Sequence, residues 1–360
     1  MSYSIGDNIR IDIFGESHAD EIGVKIDGFP KGFSIDFDEL RAFMLRRAAV
    51  GAISTARKEK DEVHFTTGVE NGVTTGETIT AVIRNSDARP QAYADLAFLP
   101  RPGHADYTAY CKYGEIKSGG GAFSGRMTAP LCIAGALCKQ WLESLGVTVG
   151  AHIQAIHGIS DTAFDPTQIN AEQLRVIQKK EFPVADEAIG EAMKKEILIA
   201  KANGDSVGGI IECAVVGLPC GLGGPLFDGL EGKISACVFG IPAVKGVEFG
   251  NGFACAALTG SENNDAFYYD GDTVKTKTNR CGGILGGIST AMPLVIRVAM
   301  KPTPSIAKEQ DTVSLTTKEN KKICVGGRHD PCIVHRAVPC VEAAVAVALA
   351  DIRKGRTEHE

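Results

Sequence analysis

Aromatic residues are scarce in this 360-residue chain, 6% in all with Trp141 the only tryptophan. Basic charge is not in excess. Thirty-eight Lys and Arg stand against 44 Asp and Glu, for a net charge of −6. That balance argues against a general nucleic-acid or anionic-membrane binder, while leaving room for a local basic pocket. No apolar run approaches the ~20 residues of a membrane helix. Residues 1–15 lack a basic region followed by an apolar core, so no signal peptide is expected. The 11 cysteines include no C-x-x-C pair. An odd count without metal-ligand spacing reads as reduced thiols in a cytoplasmic protein, each a small buried hydrophobe, and no metal site is expected. Absent too are the H-E-x-x-H and G-x-x-x-x-G-K-[ST] motifs.

What is present is an ordinary globular fraction of hydrophobic residues, 44%, together with 42 glycines. The most informative pattern is a repeat. "GESHADEIGVKIDGFPKGF", residues 15–33, returns 189 positions later as "GDSVGGIIECAVVGLPCGL". Gly15, Ser17, Ile22, Gly28, Pro30 and Gly32 fall on Gly204, Ser206, Ile211, Gly217, Pro219 and Gly221, but His18 falls on Val207. The repeat suggests two pseudo-symmetric halves, roughly 9–150 and 200–352, inside one domain spanning 1–360.

The coarse elements follow from period and punctuation. Residues 22–27 and 209–216 are β-rich. "IDFDELRAFMLRR" reads as a helix with a capping box, Asp36 as N-cap and Glu39 three residues on. Asn71-Gly72 marks a hairpin. Residues 128–145 and 185–202 read as helices stopped by Gly146 and Gly204. A strand ends at Pro302, and the C-terminal helix carries basic residues at its end. Strands arranged as hairpins and helices in separate runs predict α+β rather than a doubly wound parallel sheet.

Three glycine-flanked segments concentrate chemistry: Gly15 to His18; residues 101–108 with 118–128; and "GRHDP" at 327–331. An imidazole is the side chain suited to proton transfer near neutral pH, so His18 and His104 are candidates to give or take protons. Asp330 can act as an acid or base, or orient an imidazole. Arg101, Arg126 and Arg328 offer planar forks for carboxylate or phosphate. Arg46 and Arg47 add to them, or compensate the dipole at the end of their helix. These residue types point to a small polyanionic ligand and proton transfer, without naming a reaction.

Five segments, "FGESHADEIGVKIDGFPKG", "RPGHADYTAYCKYG", "AVKGVEFGNGF", "CGGILGGIS" and "GRHDPCIVHRAVPCVEA", resemble the motifs of the chorismate synthase family in order over about residues 9–352. The resemblance implies a β-α-β sandwich with internal pseudo-duplication and a homotetramer. It implies a carbon–oxygen lyase that forms chorismate from 5-enolpyruvylshikimate 3-phosphate by 1,4-anti elimination with reduced FMN. It implies that His18 protonates the departing phosphate, that His104 protonates the flavin, and that Asp330 works in removing the ring hydrogen. Ser17, Arg47, Arg101, Arg126 and Arg328 would hold the substrate. Ser124, Ala243, Asn279, Lys301 and Ser305 would hold the flavin. No added reductase domain is seen, so an external flavin reductase or other reductant is expected.

The sequence also departs from the family pattern. Ala19 stands where the family has Gly, Ala48-Ala49 where it has Pro-Gly, and Ala52 and Ala122 where it has basic residues. Phe123 and Pro242 replace polar residues. Arg57 and Lys58 are the candidates to supply the missing charge. The alternative reading is a flavin-binding paralogue with altered or lost activity.

Overall fold

The computed structural model describes residues 2–49, 51–54, 61–85, 98–326 and 329–357. Its first sheet is built from Ser2–Ile5 (β1), Arg10–Gly15 (β2), Glu21–Asp27 (β3), His64–Thr67 (β4) and Ile79–Arg84 (β5), in the order β1-β2-β3-β5-β4. Its second sheet uses Thr148–Ile156 (β6), Ile159–Ser160 (β7), Gly209–Val216 (β8), Val244–Phe249 (β9) and Leu294–Met300 (β10), in the order β7-β6-β8-β10-β9. Every pairing in both sheets is antiparallel. The two orders agree over four strands, with β2, β3, β5 and β4 in the places of β6, β8, β10 and β9, and differ at one edge, where β1 precedes β2 in the chain but β7 follows β6. The turns leaving β3 and β8 both pass through a left-handed glycine, Gly28 at φ +74° and Gly217 at φ +84°. The halves read from the sequence place their boundary too late. β6 pairs with β8, so residues 148–156 belong to the second sheet. The segment between them forms helices Ala171–Gln178 and Glu187–Ala202. Ile169 and Leu174 cover Ala214 on the second sheet.

The sheets enclose a helical layer. Phe37–Arg46 (α1) and Thr128–Ser144 (α2) come from the first half, Leu230–Phe239 (α3) and Val334–Thr357 (α4) from the second. α2 is apolar almost all round because it is buried almost all round. One hydrophobic core runs from Ile22, Val24 and Ile26 of β3 through α2 and α4 to Ile211, Cys213 and Val215 of β8. α2 and α4 cross where Gly135 meets Ala343. A Cβ on Gly135 would lie 2.2 Å from that of Ala343, so the two backbones approach with only the Ala343 methyl group at the contact. At the start of α1, Asp36 accepts from the amides of Asp38 and Glu39, as the sequence predicts. The reciprocal half of the capping box is replaced by tertiary structure, since the Asp36 amide donates to Gln140 Oε1 at 2.9 Å. The Asn71-Gly72 turn joins residues 69–70 to 73–74, with left-handed φ of 49° and 81°.

Glu342 of α4 holds the layer together electrostatically. It is fully buried and accepts from Arg46 Nη1 and Nη2 at 2.7 Å, Lys139 Nζ at 2.8 Å and the Ala151 amide at 3.0 Å. α1, α2, α4 and β6 therefore meet on one carboxylate. Burial pushes its pKa up, but Arg46 and Lys139 outweigh burial and bring it from 4.5 to about 2. A depressed pKa contributes stability above the ordinary carboxylate range that is lost as pH falls toward 2. Glu342→Gln leaves two buried cations uncompensated, and should cost roughly 3–5 kcal/mol at neutral pH by urea unfolding. The gap from wild type should narrow as pH falls from about 5 to 2. A gap that stays constant across that window would contradict this account.

Candidate active site

A cavity of about 580 Å³ opens at one end of the helical layer, within the range of roughly 300–1,000 Å³ typical of ligand sites. Its wall brings together Ser17, His18, Arg47, Arg101, His104 and Ser124, and also Arg126, Ala243, Lys301, Ser305 and Asp330. These come from the turn after β2, the end of α1, the loops at 98–127, the turn between α3 and β9, the turn after β10 and the approach to α4. Asn279 does not join them. Its side chain is buried, with Nδ2 donating to the carbonyls of Pro166 (2.9 Å) and Pro293 (2.8 Å) and Oδ1 accepting from the Gly283 amide (2.8 Å). Those bonds pin a loop of the second half, and within this chain they leave Asn279 no part in the cavity. Arg328, Arg57 and Lys58 lie outside the described residues.

Acids hold the cations in place. Asp106 binds Arg101 through Nε (2.7 Å) and Nη2 (2.9 Å), and takes a third bond from His104 Nδ1 at 2.6 Å. Burial raises the Asp106 pKa, yet Arg101 and His104 together hold it well below the usual carboxylate range. A carboxylate only accepts, so this bond takes the His104 Nδ1 proton, while Arg101 Nη2 lies 3.1 Å from Nδ1 and 3.4 Å from Nε2. Arg101 Nη1 donates to Ser305 Oγ at 3.0 Å. Arg47 and Arg126 share the Asp61 carboxylate, and Arg126 Nε also donates to Asn85 Oδ1 at 3.0 Å. Asp61 is kept ionised by the two arginines against the effect of burial. Arg336 donates from Nη1 to Asp330 at 2.5 Å and from Nε to the Arg47 carbonyl at 3.0 Å. Arg46 is absent from the cavity wall because it pairs with Glu342.

Sequence reasoning missed Asp61, Asp106 and Arg336, and it left the glycine run without a role. Residues 119–121 all have positive φ. A Cβ on Gly119 would lie 2.2 Å from His18 Nε2, and one on Gly120 3.0 Å from His104 Cε1. The run is bare because both imidazoles lie against it. Ser17 is tied to it by its amide, which donates to the Gly121 carbonyl at 3.3 Å. Ser124 Oγ accepts from the Arg126 amide at 3.2 Å and so caps the next turn. Ala243 adopts φ +75° in the cavity wall, a conformation costly for a residue with a Cβ. Lys301 donates to the Gly103 carbonyl.

Several departures from the family pattern resolve here. Ala19 does not adopt a positive φ, so it meets no steric penalty in place of glycine. Ala122, Phe123 and Pro242 do line the cavity. Ala52 does not, and its carbonyl accepts from Lys201 at 2.5 Å. The repeat now divides plainly, with His18 on the cavity wall and Val207 buried in the core. The Val207 amide donates to the Pro331 carbonyl at 2.8 Å. Residues 204–208, Gly-Asp-Ser-Val-Gly, also spell the G-x-S-x-G spacing of a nucleophile elbow. They lead from a helix into β8 rather than from a strand into a helix, and Ser206 Oγ donates to the Thr303 carbonyl at 2.7 Å.

A family model described as chorismate synthase matches residues 9–353. The chain belongs to the chorismate synthase family. A chorismate synthase from Lancefieldella parvula is 44% identical over 364 residues, covering 98% of this chain and 96% of that protein. One from Dehalococcoides mccartyi is 44% identical over 355 residues with the same coverage. A solved structure titled "Crystal Structure of Chorismate Synthase" superposes with a TM-score of 0.76 at 27% identity, covering 98% of this chain and 93% of that one. The chain's activity is thus that of a carbon–oxygen lyase, the formation of chorismate from 5-enolpyruvylshikimate 3-phosphate, in a family that uses FMN. None of the described helices is long and apolar enough to cross a membrane.

The glycine run gives this chorismate synthase fold a direct test. Gly119→Ala would place a methyl group on His18 at a backbone conformation that disfavours it. Turnover should fall about 10-fold or more, on the scale of a general acid–base contribution, with an unchanged circular dichroism spectrum. Wild-type turnover in this variant would show that the loop does not position His18.

Proposed function

We propose that this one cavity holds reduced FMN and 5-enolpyruvylshikimate 3-phosphate together, with the acid–base work divided among His18, His104 and Asp330. The observation that carries the reading is the convergence of those three side chains on one wall with Arg47, Arg101, Arg126 and Lys301. The residues present fit the group. The cavity's volume suits a ligand of that size, and its cationic donors suit a phosphate. Ser124, Ala243, Lys301 and Ser305 would hold the flavin, and when bound it supplies the transient electron that eases phosphate departure.

Arg47, Arg101 and Arg126 bind the carboxylates and phosphate of the substrate, with Ser17 beside them. Arg328 joins them by resemblance. His18 delivers a proton to the leaving phosphate oxygen. His104, its Nδ1 proton fixed by Asp106, exchanges a proton at Nε2. Asp330, oriented by Arg336, receives the ring proton. The substrate carries charges complementary to the cluster, so binding and orientation are largely electrostatic.

Large apolar side chains stand exposed in the second half, among them Phe227 (95%), Leu226 (88%) and Phe253 (88%). Such surface supports self-association, and the homotetramer is the assembly we propose. We take the reductant to be external.

The test is anaerobic. Purified protein with chemically reduced FMN and 5-enolpyruvylshikimate 3-phosphate should release chorismate and phosphate in equal amounts. Oxidised FMN with NADPH should give none. Flavin binding without product would favour the altered paralogue and point to Ala122 and Phe123. Product with NADPH alone would assign the reductase to this chain.

A further inference from the structure

The central helices carry a feature that the lyase reaction does not use. One turn before the Gly135–Ala343 contact, Cys132 of α2 and Cys340 of α4 face each other with their sulfurs 3.8 Å apart. Each lies three residues before its helix's crossing residue, so the close approach of the backbones holds the pair together. Cys132 is fully buried. Cys340 is 3% exposed and forms part of the cavity wall. The two thiols differ in character. Cys132 donates to Cys340 and lowers its pKa, against burial, with Arg47 and Arg336 acting in the same direction. The Cys132 thiol is raised well above the ordinary range, first by that hydrogen bond and then by burial. This is the asymmetry of an attacking thiol beside a resolving one.

We propose that Cys132 and Cys340 are a reversible redox pair in the floor of the cavity, with a hydroperoxide as oxidant. The Cys340 thiolate attacks the peroxide, breaking its O–O bond. The sulfur gains an oxygen as sulfenic acid, and one oxygen leaves as water. The Cys132 sulfur then attacks Cys340, loses its proton, and displaces the second oxygen as water. Two thiols lose two electrons and two protons, and hydrogen peroxide becomes two waters. The sulfurs must close from 3.8 Å to a bond of about 2.0 Å. The disulfide ties α2 to α4 and consumes the Cys340 thiol, which donates to the Arg336 carbonyl at 3.6 Å. Oxidation should therefore lower turnover severalfold until the bond is reduced. The inference goes beyond the lyase reading and does not depend on it.

The experiment treats the full-length wild-type chain with graded hydrogen peroxide, alkylates the remaining thiols in denaturant, and maps peptides without reduction. A Cys132–Cys340 cross-linked peptide is expected, with a mass loss of about 2 Da that dithiothreitol reverses. It should form at lower peroxide than oxidation of the exposed Cys111, Cys220, Cys255 and Cys324. In Cys132→Ala, Cys340 should stop at sulfenic acid and be captured by dimedone. The proposal is overturned if both thiols are alkylated after the exposed cysteines have reacted, or if Cys340 passes to sulfinic acid in the wild type. The wild-type map decides the matter even if the variant does not fold.

Discussion

The fold is organised around the place where α2 and α4 touch with only the Ala343 methyl group at the contact. Gly135 lets the backbone of one helix rest on Ala343 of the other, and each five-stranded sheet packs outward from that pair. The crossing sets the direction of both helices. α2 begins at Thr128 and α4 at Val334, and Thr128, Ala337 and Cys340 all belong to the cavity wall. Two helix N-termini thus approach one cavity and bias it toward anions. Glu342 secures the arrangement from within by drawing α1, α2 and β6 onto α4.

A cavity lined with guanidinium groups inside an acidic chain poses an electrostatic problem. Like charges held a few ångströms apart repel. The structure answers with acids placed behind the cations. Asp61 bridges Arg47 and Arg126, Asp106 grips Arg101 and His104, and Asp330 meets Arg336. Each pairing also fixes a direction. Asp106 decides which imidazole nitrogen of His104 carries the proton, and Arg336 links Asp330 to the Arg47 backbone. The site's cationic groups are oriented in advance, and preorganised charge is the largest single contribution in many enzymes.

Much of this was legible in the sequence. The helix over 37–46, the Asn71-Gly72 turn and the α+β class were read from local signals: a cap, a turn dipeptide and the order of elements. Six cysteines are buried as expected. Cys111, Cys220, Cys255 and Cys324 are exposed and Cys281 is intermediate, because composition does not say which face of an element a residue takes. His18, His104 and the arginines could be named because they sit in motifs. Asp61 could not, because a carboxylate's partner 14 or 65 residues away leaves no local trace, whereas Asp106, whose partners stand five and two residues before it, lay inside a quoted motif and carried no signal of its own. Arg336 lay inside a quoted motif and carried no signal of its own. The glycine run was visible, but its cause was not, since the two histidines against it are remote in sequence or on another turn. Asn279, expected with the flavin, lies off the cavity wall of this chain and ties a loop.

Asp61→Asn tests the central claim most directly, that acids behind the cavity orient its arginines. The substitution keeps the shape and removes the charge shared by Arg47 and Arg126. Steady-state kinetics under anaerobic conditions should show kcat/KM for 5-enolpyruvylshikimate 3-phosphate falling roughly 10- to 100-fold, the scale of a lost charged hydrogen bond. An unchanged or increased kcat/KM would mean that Asp61 only competes with the substrate for the two arginines.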